Sequence, residues 1–155
     1  MAEVVARSLQ HLNGSDLGAM ATYLKSLPAT QDKPADSGER PSEPLLAEGR
    51  RLYGKYCVDC HGADGKGKAP AYPPLAGNRA VTLTPAVNAI RMVLHGGFPP
   101  GTAGNPRPYG MPPYSHELDD AQVAAVLSYV RASWGNKAAP VSAPDVNRYR
   151  SVPLD

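Results

Sequence analysis

The chain has 155 residues, enough for one domain of ordinary size with extensions. Its 16 basic and 14 acidic residues give a net charge of +2, and no block of lysine or arginine occurs, so the composition argues against nucleic-acid binding. The 17 prolines and 15 glycines indicate that loops form much of the chain, and such a chain usually needs a staple or a large cofactor to complete its core. No apolar run is long enough to predict a transmembrane segment.

The first predicted element is a helix over residues 12–27. Its apolar side chains recur at the 3.6-residue spacing of one helix face, and Pro28 ends it. The apolar positions are Leu12, Leu17, Met20, Ala21, Leu24 and Leu27. Residues 28–43 are polar and interrupted by prolines, which is the composition of a linker.

The remaining predicted elements are also helices, and long loops rich in glycine and proline separate them. The helices are expected over residues 45–56, 85–94 and 119–134, and the loops over residues 62–84 and 95–117. Pro44 and Pro85 suit first helical turns, and Gly135 suits the end of the last helix. Residues 137–155 contain three prolines and are expected to form an irregular tail. Because no convincing strand pattern occurs, the predicted fold class is all-α.

The two cysteines lie three positions apart in the segment Cys57-Val58-Asp59-Cys60-His61. This C-x-x-C-H pattern is typical of covalent haem attachment. A helical turn beginning at Cys57 would direct both thiols to the vinyl groups on one porphyrin edge, and His61 would then reach the iron as the proximal ligand. A zinc site would need a second ligand pair, which does not follow, and a redox dithiol would need a surrounding βαβ pattern. The motif therefore favours haem.

The distal ligand is expected well downstream of the cysteines. Met111 lies in a proline-stiffened loop just before the last helix, and its thioether is a soft ligand that favours Fe(II). His95 and His116 are the alternatives, and either would give a second imidazole and a lower potential. Met20 and Met92 lie within helical patterns, where core positions are expected.

The first and last predicted helices resemble each other. Residues 12–27 align with residues 118–133 without a gap, and the matched pairs include Tyr23 with Tyr129 and Lys25 with Arg131. We interpret residues 1–27 as the terminal helix of a preceding, related domain, with an ordinary N-terminal helix as the alternative. Its apolar stripe should then be exposed. By the same comparison, Met1 is either a former axial ligand of that domain or simply an initiator methionine.

The order of these motifs resembles class I cytochrome c over about residues 45–136, so we take residues 44–136 as the predicted cytochrome c domain. The shared features are the amphipathic helix, C-x-x-C-H, Pro-Pro-Leu-Ala-Gly-Asn (73–78), Leu-His-Gly-Gly (94–97), Gly-Met-Pro (110–112) and the last helix. More narrowly, residues 127–136 are similar to the end of the last domain in tri-haem cytochrome subunits. Those subunits belong to membrane-bound bacterial dehydrogenases for alcohols, gluconate, sorbitol or glucose.

This resemblance implies a class I cytochrome c fold, in which short helices and long loops wrap around one covalent haem c. Cys57 and Cys60 would hold the haem, with His61 and Met111 as the axial ligands of its iron. The resemblance also implies that Pro74 and Leu75 pack against the haem, with Pro74 steadying His61.

The implied function is that of a single-electron carrier and not of an enzyme. A flavin- or quinoprotein dehydrogenase subunit would be the electron donor, and a quinone or a terminal oxidase would be the acceptor. The expected location is the periplasm, at the outer face of the bacterial inner membrane and as part of a larger subunit, so that the chain is a fragment without its own signal peptide. The alternative is a haem enzyme whose open axial site acts on a small ligand such as peroxide.

Overall fold

The structure, a computed structural model, describes residues 2–28 and 38–151. Its helices in chain order are α1 (Ala2–Arg7), α2 (Gly14–Ser26), α3 (Glu43–Tyr56), α4 (Val58–His61), α5 (Arg79–Thr82), α6 (Val87–His95), α7 (Asp120–Ala132) and α8 (Ala143–Arg150). A short 3-10 helix at Leu9–His11 lies between α1 and α2. The described residues contain isolated β-bridges and no strand, which agrees with the predicted all-α class.

The chain forms two compact units. Among the described residues, the first unit contains 2–28 and 98–110, and the second contains 38–97 and 111–151. The first unit therefore takes a segment from the middle of the range 44–136. Part of the predicted linker, and Met1, lie outside the described residues. No helix in the described ranges is long and apolar enough to cross a membrane.

In the first unit, α2 presents its apolar side chains to solvent. The helix begins after Asn13, whose side-chain oxygen accepts a hydrogen bond from the Asp16 N–H at 2.8 Å. Its large apolar residues and the leucine that follows it are 41% to 65% exposed: Leu17, Met20, Tyr23, Leu24 and Leu27. The expected exposure of this stripe is thus observed, and Met20 is not in a core.

The segment 98–110 packs within the same unit as the N-terminal helices. The Gln10 side-chain oxygen accepts a hydrogen bond from the Ala103 N–H at 3.0 Å. The ring of Phe98 lies on the backbone of Gly110, where a Cβ atom would come within 2.3 Å of the ring. Only glycine therefore fits at position 110 without displacing the ring.

The core of the second unit is built on the crossing of α3 and α7. Gly49 allows the close approach, because a Cβ there would lie 2.2 Å from the Ala125 carbonyl oxygen. Asp119 starts α7 with a capping box. Its side chain accepts a hydrogen bond from the Gln122 N–H, and the Gln122 side chain accepts one from the Asp119 N–H. The core side chains contributed by the two helices are Leu52, Tyr53, Val123, Ala124, Ala125, Val126, Leu127 and Val130.

The prediction of an irregular tail over residues 137–155 is wrong for its middle part, which forms α8. Ser142 caps this helix together with Asp145. Pro144 lies in the first turn, where a proline is tolerated because its missing N–H would have no partner within the helix. Val146 is fully buried in the core of the second unit. Pro144 therefore marks a helix start and not the absence of a helix.

Candidate functional site

The C-x-x-C-H segment follows α3 directly: Cys57 joins α3 to α4, and the other four residues form α4. Cys57 lies between the helices: its N–H donates to the Tyr53 carbonyl oxygen at 2.9 Å, and its own carbonyl oxygen accepts from the His61 N–H at 3.0 Å. Cys57 is half-buried, Cys60 is exposed and His61 is buried with 9% of its surface exposed. The predicted helical turn is therefore present, and it gathers these three side chains within five residues, Cys57 at the start of α4 and the other two inside it.

A hydrogen bond from Tyr53 fixes the end of this turn. Gly62 ends α4 with a φ of 76°, in the left-handed region that favours glycine. The Tyr53 hydroxyl donates a hydrogen bond to the Gly62 carbonyl oxygen at 2.6 Å. Burial raises the pKa of Tyr53, so the hydroxyl keeps its proton and remains a donor.

The imidazole of His61 has one nitrogen engaged and one left for a metal. Its Nδ1 lies 3.1 Å from the Pro73 carbonyl oxygen. Because a carbonyl oxygen only accepts, Nδ1 carries the proton and Nε2 keeps its lone pair, which is the tautomer a metal ligand needs. The expectation that Pro74 steadies His61 is off by one residue, because the backbone carbonyl of Pro73 makes the contact.

The loop that carries Pro73 is held by two glycines with positive φ. At Gly67 a Cβ would lie 2.6 Å from the Pro73 carbonyl oxygen, so only glycine allows this approach. At Gly65 a Cβ would lie 2.4 Å from the ring of Trp134, whose Nε1 donates to the Ala63 carbonyl oxygen at 3.0 Å. Trp134 thus closes the end of α7 against this loop, and the loop in turn fixes the partner of His61.

Met111 is paired with Gly97 across a short backbone bridge. The Gly97 N–H donates to the Met111 carbonyl oxygen at 3.0 Å, and the Met111 N–H donates to the Gly97 carbonyl oxygen at 2.9 Å. Gly96 has a φ of 67°, and a Cβ there would lie 2.3 Å from the Met111 carbonyl oxygen. The Leu-His-Gly-Gly segment is therefore the backbone partner of Met111, a role that its sequence did not indicate.

Tyr114 ties the Met111 segment to the helix that precedes Cys57. Its N–H donates to the Val93 carbonyl oxygen at 2.9 Å, and its hydroxyl donates to the Tyr56 carbonyl oxygen at 2.9 Å. The rings of Tyr56 and Tyr114 meet edge to face with centroids 5.7 Å apart. Burial raises the pKa of Tyr114, which keeps the hydroxyl protonated and donating. The distal segment and the cysteine turn are thereby joined.

The alternative ligands, His95 and His116, lie in different surroundings from Met111. His95 is half-buried, and its Nε2 lies 3.1 Å from the Tyr149 carbonyl oxygen. His116 is exposed in the turn before α7. Met92, expected in the core, is 45% exposed. Because α6 directs Ile90 and Leu94 into the core, Met92 lies about 200° around the helix from that face.

The donor set fits a covalently bound haem. Burial, with a smaller contribution from Cys60, raises the pKa of the Cys57 thiol to about 11, so the unattached side chain is a neutral thiol at ordinary pH. Two thiols on one helical turn, an imidazole with a free Nε2 and a thioether in a braced loop are the groups that haem c requires. Cys57, Cys60, His61 and Met111 all belong to the second unit.

Comparison with known proteins identifies the class. The family described as "Cytochrome c" matches residues 46–134, which is more than half of the chain. The chain belongs to the cytochrome c family. Membership implies covalently bound haem c and the transfer of single electrons.

Several relatives narrow the resemblance. The chain is 39% identical to the cytochrome c subunit of alcohol dehydrogenase (quinone) from Gluconacetobacter polyoxogenes, over 98% of this chain and 34% of that protein. It is 37% identical to the gluconate 2-dehydrogenase cytochrome c subunit of Pantoea cypripedii, over 97% of this chain and 36% of that protein. It is 33% identical to the fructose dehydrogenase cytochrome subunit of Gluconobacter japonicus, over 99% and 37%.

These matches agree with the dehydrogenase-subunit resemblance seen in the sequence. The relatives are cytochrome subunits of dehydrogenases, and nothing in their names supports the alternative of a peroxide-using haem enzyme. The chain spans about a third of the length of the relatives it matches.

Proposed function

We propose that this chain relays single electrons through one haem c, from a flavin- or quinoprotein dehydrogenase subunit to a quinone or to a terminal oxidase. Cys57 and Cys60 would hold the haem through thioether bonds, and His61 and Met111 would hold its iron. The observation that carries the proposal is the buried imidazole of His61 on the cysteine turn, with Nδ1 bonded to the Pro73 carbonyl and Nε2 free.

When bound, haem c supplies a one-electron Fe(III)/Fe(II) couple. The residues of this chain set its properties. The bond from His61 Nδ1 to the Pro73 carbonyl makes the imidazole a stronger donor and so favours Fe(III), whereas the sulfur of Met111 favours Fe(II). Met111 on the iron would leave no position there for a substrate, which suits electron transfer and opposes catalysis on the iron.

The relatives support the proposed partners. Identities of 33% to 39% to the cytochrome subunits of alcohol dehydrogenase (quinone), gluconate 2-dehydrogenase and fructose dehydrogenase support a dehydrogenase donor, and the first of these names supports a quinone acceptor. The proposed location is the periplasm, at the outer face of the inner membrane, and the attachment of haem c to proteins outside the cytoplasm supports the periplasmic part of it.

Residues 1–27 belong to this proposal as the terminal helix of a related cytochrome domain. The gapless similarity between α2 and α7 supports it, and so does the exposure of the α2 face that corresponds to the buried face of α7. This segment has no C-x-x-C-H motif, so one haem per chain is expected.

Haem content tests the proposal. The chain, exported with the haem-attachment machinery, should keep its haem through acid–acetone extraction and give one haem per chain by the pyridine haemochrome assay. Cys57→Ala with Cys60→Ala should abolish attachment. A wild-type chain that releases its haem on extraction, or that carries two haems, would contradict the proposal.

A further inference from the structure

The helix α8 lies beyond the part of the chain that matches the cytochrome c family, which ends at residue 134. It is nevertheless an integral part of the second unit. Val146 is 0% exposed, and α8 packs on both α6 and α7. The family match therefore gives no role for this closely packed helix.

Arg150, the last residue of α8, binds the turn between Met111 and α7. Its Nη1 donates to the Ser115 carbonyl oxygen at 2.6 Å, and its Nη2 donates to the Leu118 carbonyl oxygen at 3.0 Å. Its Nε donates to Asp120 Oδ1 at 2.6 Å, in an ion pair whose side chains are 27% and 24% exposed. One planar guanidinium thus holds three acceptors in a turn of six residues, which is the geometry that arginine provides and lysine does not.

Other residues of α8 strengthen the same attachment. The Asn147 amide donates to Asp120 Oδ2 at 2.7 Å, so both carboxylate oxygens of Asp120 are bound by α8. These bonds hold the pKa of Asp120 below its usual range, so the carboxyl stays ionised and the pair stays intact. Next to Arg150, the Tyr149 carbonyl oxygen lies 3.1 Å from Nε2 of His95, the last residue of α6.

The two segments bound by α8 are the two that hold Met111. The end of α6 pairs with the Met111 segment through Gly97 with Met111, Val93 with Tyr114 and Leu94 with Ser115. The helix α8 bonds to His95 on the first segment and to residues 115–120 on the second. It therefore cross-links both sides of the backbone pairing that fixes the distal residue.

We propose that α8, through Arg150, is a positioning element that keeps Met111 on the haem iron. It acts by resisting the opening of residues 111–120 away from the end of α6. The inference rests on the proposed ligation by Met111 and adds to it a residue that touches neither the haem nor Met111. Breaking the three bonds of Arg150 frees the turn and raises the fraction of molecules in which Met111 has left the iron.

The test is the binding of added imidazole to the oxidised, haem-loaded chain. Imidazole binds only after Met111 leaves, so the saturating rate at high imidazole concentration reports the opening of the segment. Arg150→Ala should raise that rate about tenfold or more, because hydrogen bonds to a charged group are lost. Arg148→Ala is the matched control: it removes the same charge from an exposed position on the same helix and should leave the rate unchanged.

The measurement separates a positioning role from a purely structural one. An Arg150→Ala chain that unfolds at lower denaturant concentration but binds imidazole at the wild-type rate would overturn the inference. If Arg150→Ala does not fold, Asp120→Asn weakens the same attachment with a smaller change, and an unaltered imidazole rate in that variant would overturn it equally. A wild type that lacks the sulfur-to-iron charge-transfer band would instead refute Met111 as the ligand, which is a failure of the proposed function itself.

Discussion

The two ring nitrogens of His61 have different surroundings, and this difference prepares the side chain for a metal. Nδ1 donates to the Pro73 carbonyl oxygen, and that carbonyl is held in place by a loop that needs glycine at position 67. The backbone of Met111 is likewise fixed by its exchange of two hydrogen bonds with Gly97. Both candidate axial ligands are therefore positioned by contacts with the backbone of the protein.

Replacing Met111 with alanine should remove the weak charge-transfer band at the red end of the oxidised spectrum. The iron should then bind cyanide and carbon monoxide readily, because a coordination position is open. Met92→Ala serves as the control, since it deletes an exposed thioether from α6. Loss of the band in the Met92 variant, or its survival in the Met111 variant, would show that the distal ligand has been assigned wrongly.

Gly96→Ala should destabilise the chain more than an alanine placed at another glycine with a similar positive φ. The new Cβ would lie 2.3 Å from the Met111 carbonyl oxygen. The backbone strain at a positive φ and this steric clash both destabilise the folded state, so we expect a loss of about 2–4 kcal/mol in the free energy of unfolding.

Gly77→Ala is the control for that substitution, because Gly77 has a φ of 65° and nothing within 4 Å of its Cβ position. It should cost about 1–2 kcal/mol, the strain alone. Equal losses in the two variants, measured by denaturant unfolding, would mean that the contact with Met111 contributes nothing.

At the scale of helices, the crossing of α3 and α7 predicts opposite effects for two glycines of α3. Gly49→Ala should destabilise by about 2–3 kcal/mol, because its Cβ would lie 2.2 Å from the Ala125 carbonyl oxygen. Gly54→Ala, with nothing within 4 Å, should stabilise by up to about 0.5–1 kcal/mol through helix propensity alone. Urea unfolding of both variants tests the pair, and destabilisation of similar size in both would contradict the close crossing.

The long helices could be predicted from the sequence because each carries its own signal. The apolar period and the caps give α2, α3 and α7 to within a few residues, and α4 follows from the C-x-x-C-H motif. Helix α8 could not be predicted in the same way, since it has one fully buried residue, Val146, with one proline shortly before the helix and another in its first turn. Its capping signal, Ser142 with Asp145, is present. So short a signal does not predict a helix by itself, and the helix also depends on tertiary packing.

At the site, sequence patterns point to side chains but not to the backbone groups that hold them. Motif spacing indicated Cys57, Cys60, His61 and Met111, because their chemistry is carried by side chains. The partner of His61 is a backbone carbonyl, and so are the partners of Tyr53 and Tyr114. Backbone acceptors are present at every residue, so no sequence pattern singles out the ones that are used.

At the scale of the whole chain, the four candidate haem residues lie in one unit and the exposed α2 helix lies in the other. Deleting residues 1–40 should therefore leave the haem spectrum and the midpoint potential nearly unchanged. The deletion removes the Gln10 side chain that accepts from Ala103, so increased proteolysis within residues 98–110 is also expected. A large shift in potential would show that the first helices belong to the haem pocket.

Spectroelectrochemical titration of the haem-loaded chain, run under argon and again under carbon monoxide, tests the central claim most directly. A single-electron relay with Met111 on the iron predicts one reversible wave of one electron, with the same midpoint under both gases. A midpoint that rises under carbon monoxide would show that the gas binds the reduced iron at an open position. That result would contradict electron transfer through a fully ligated haem.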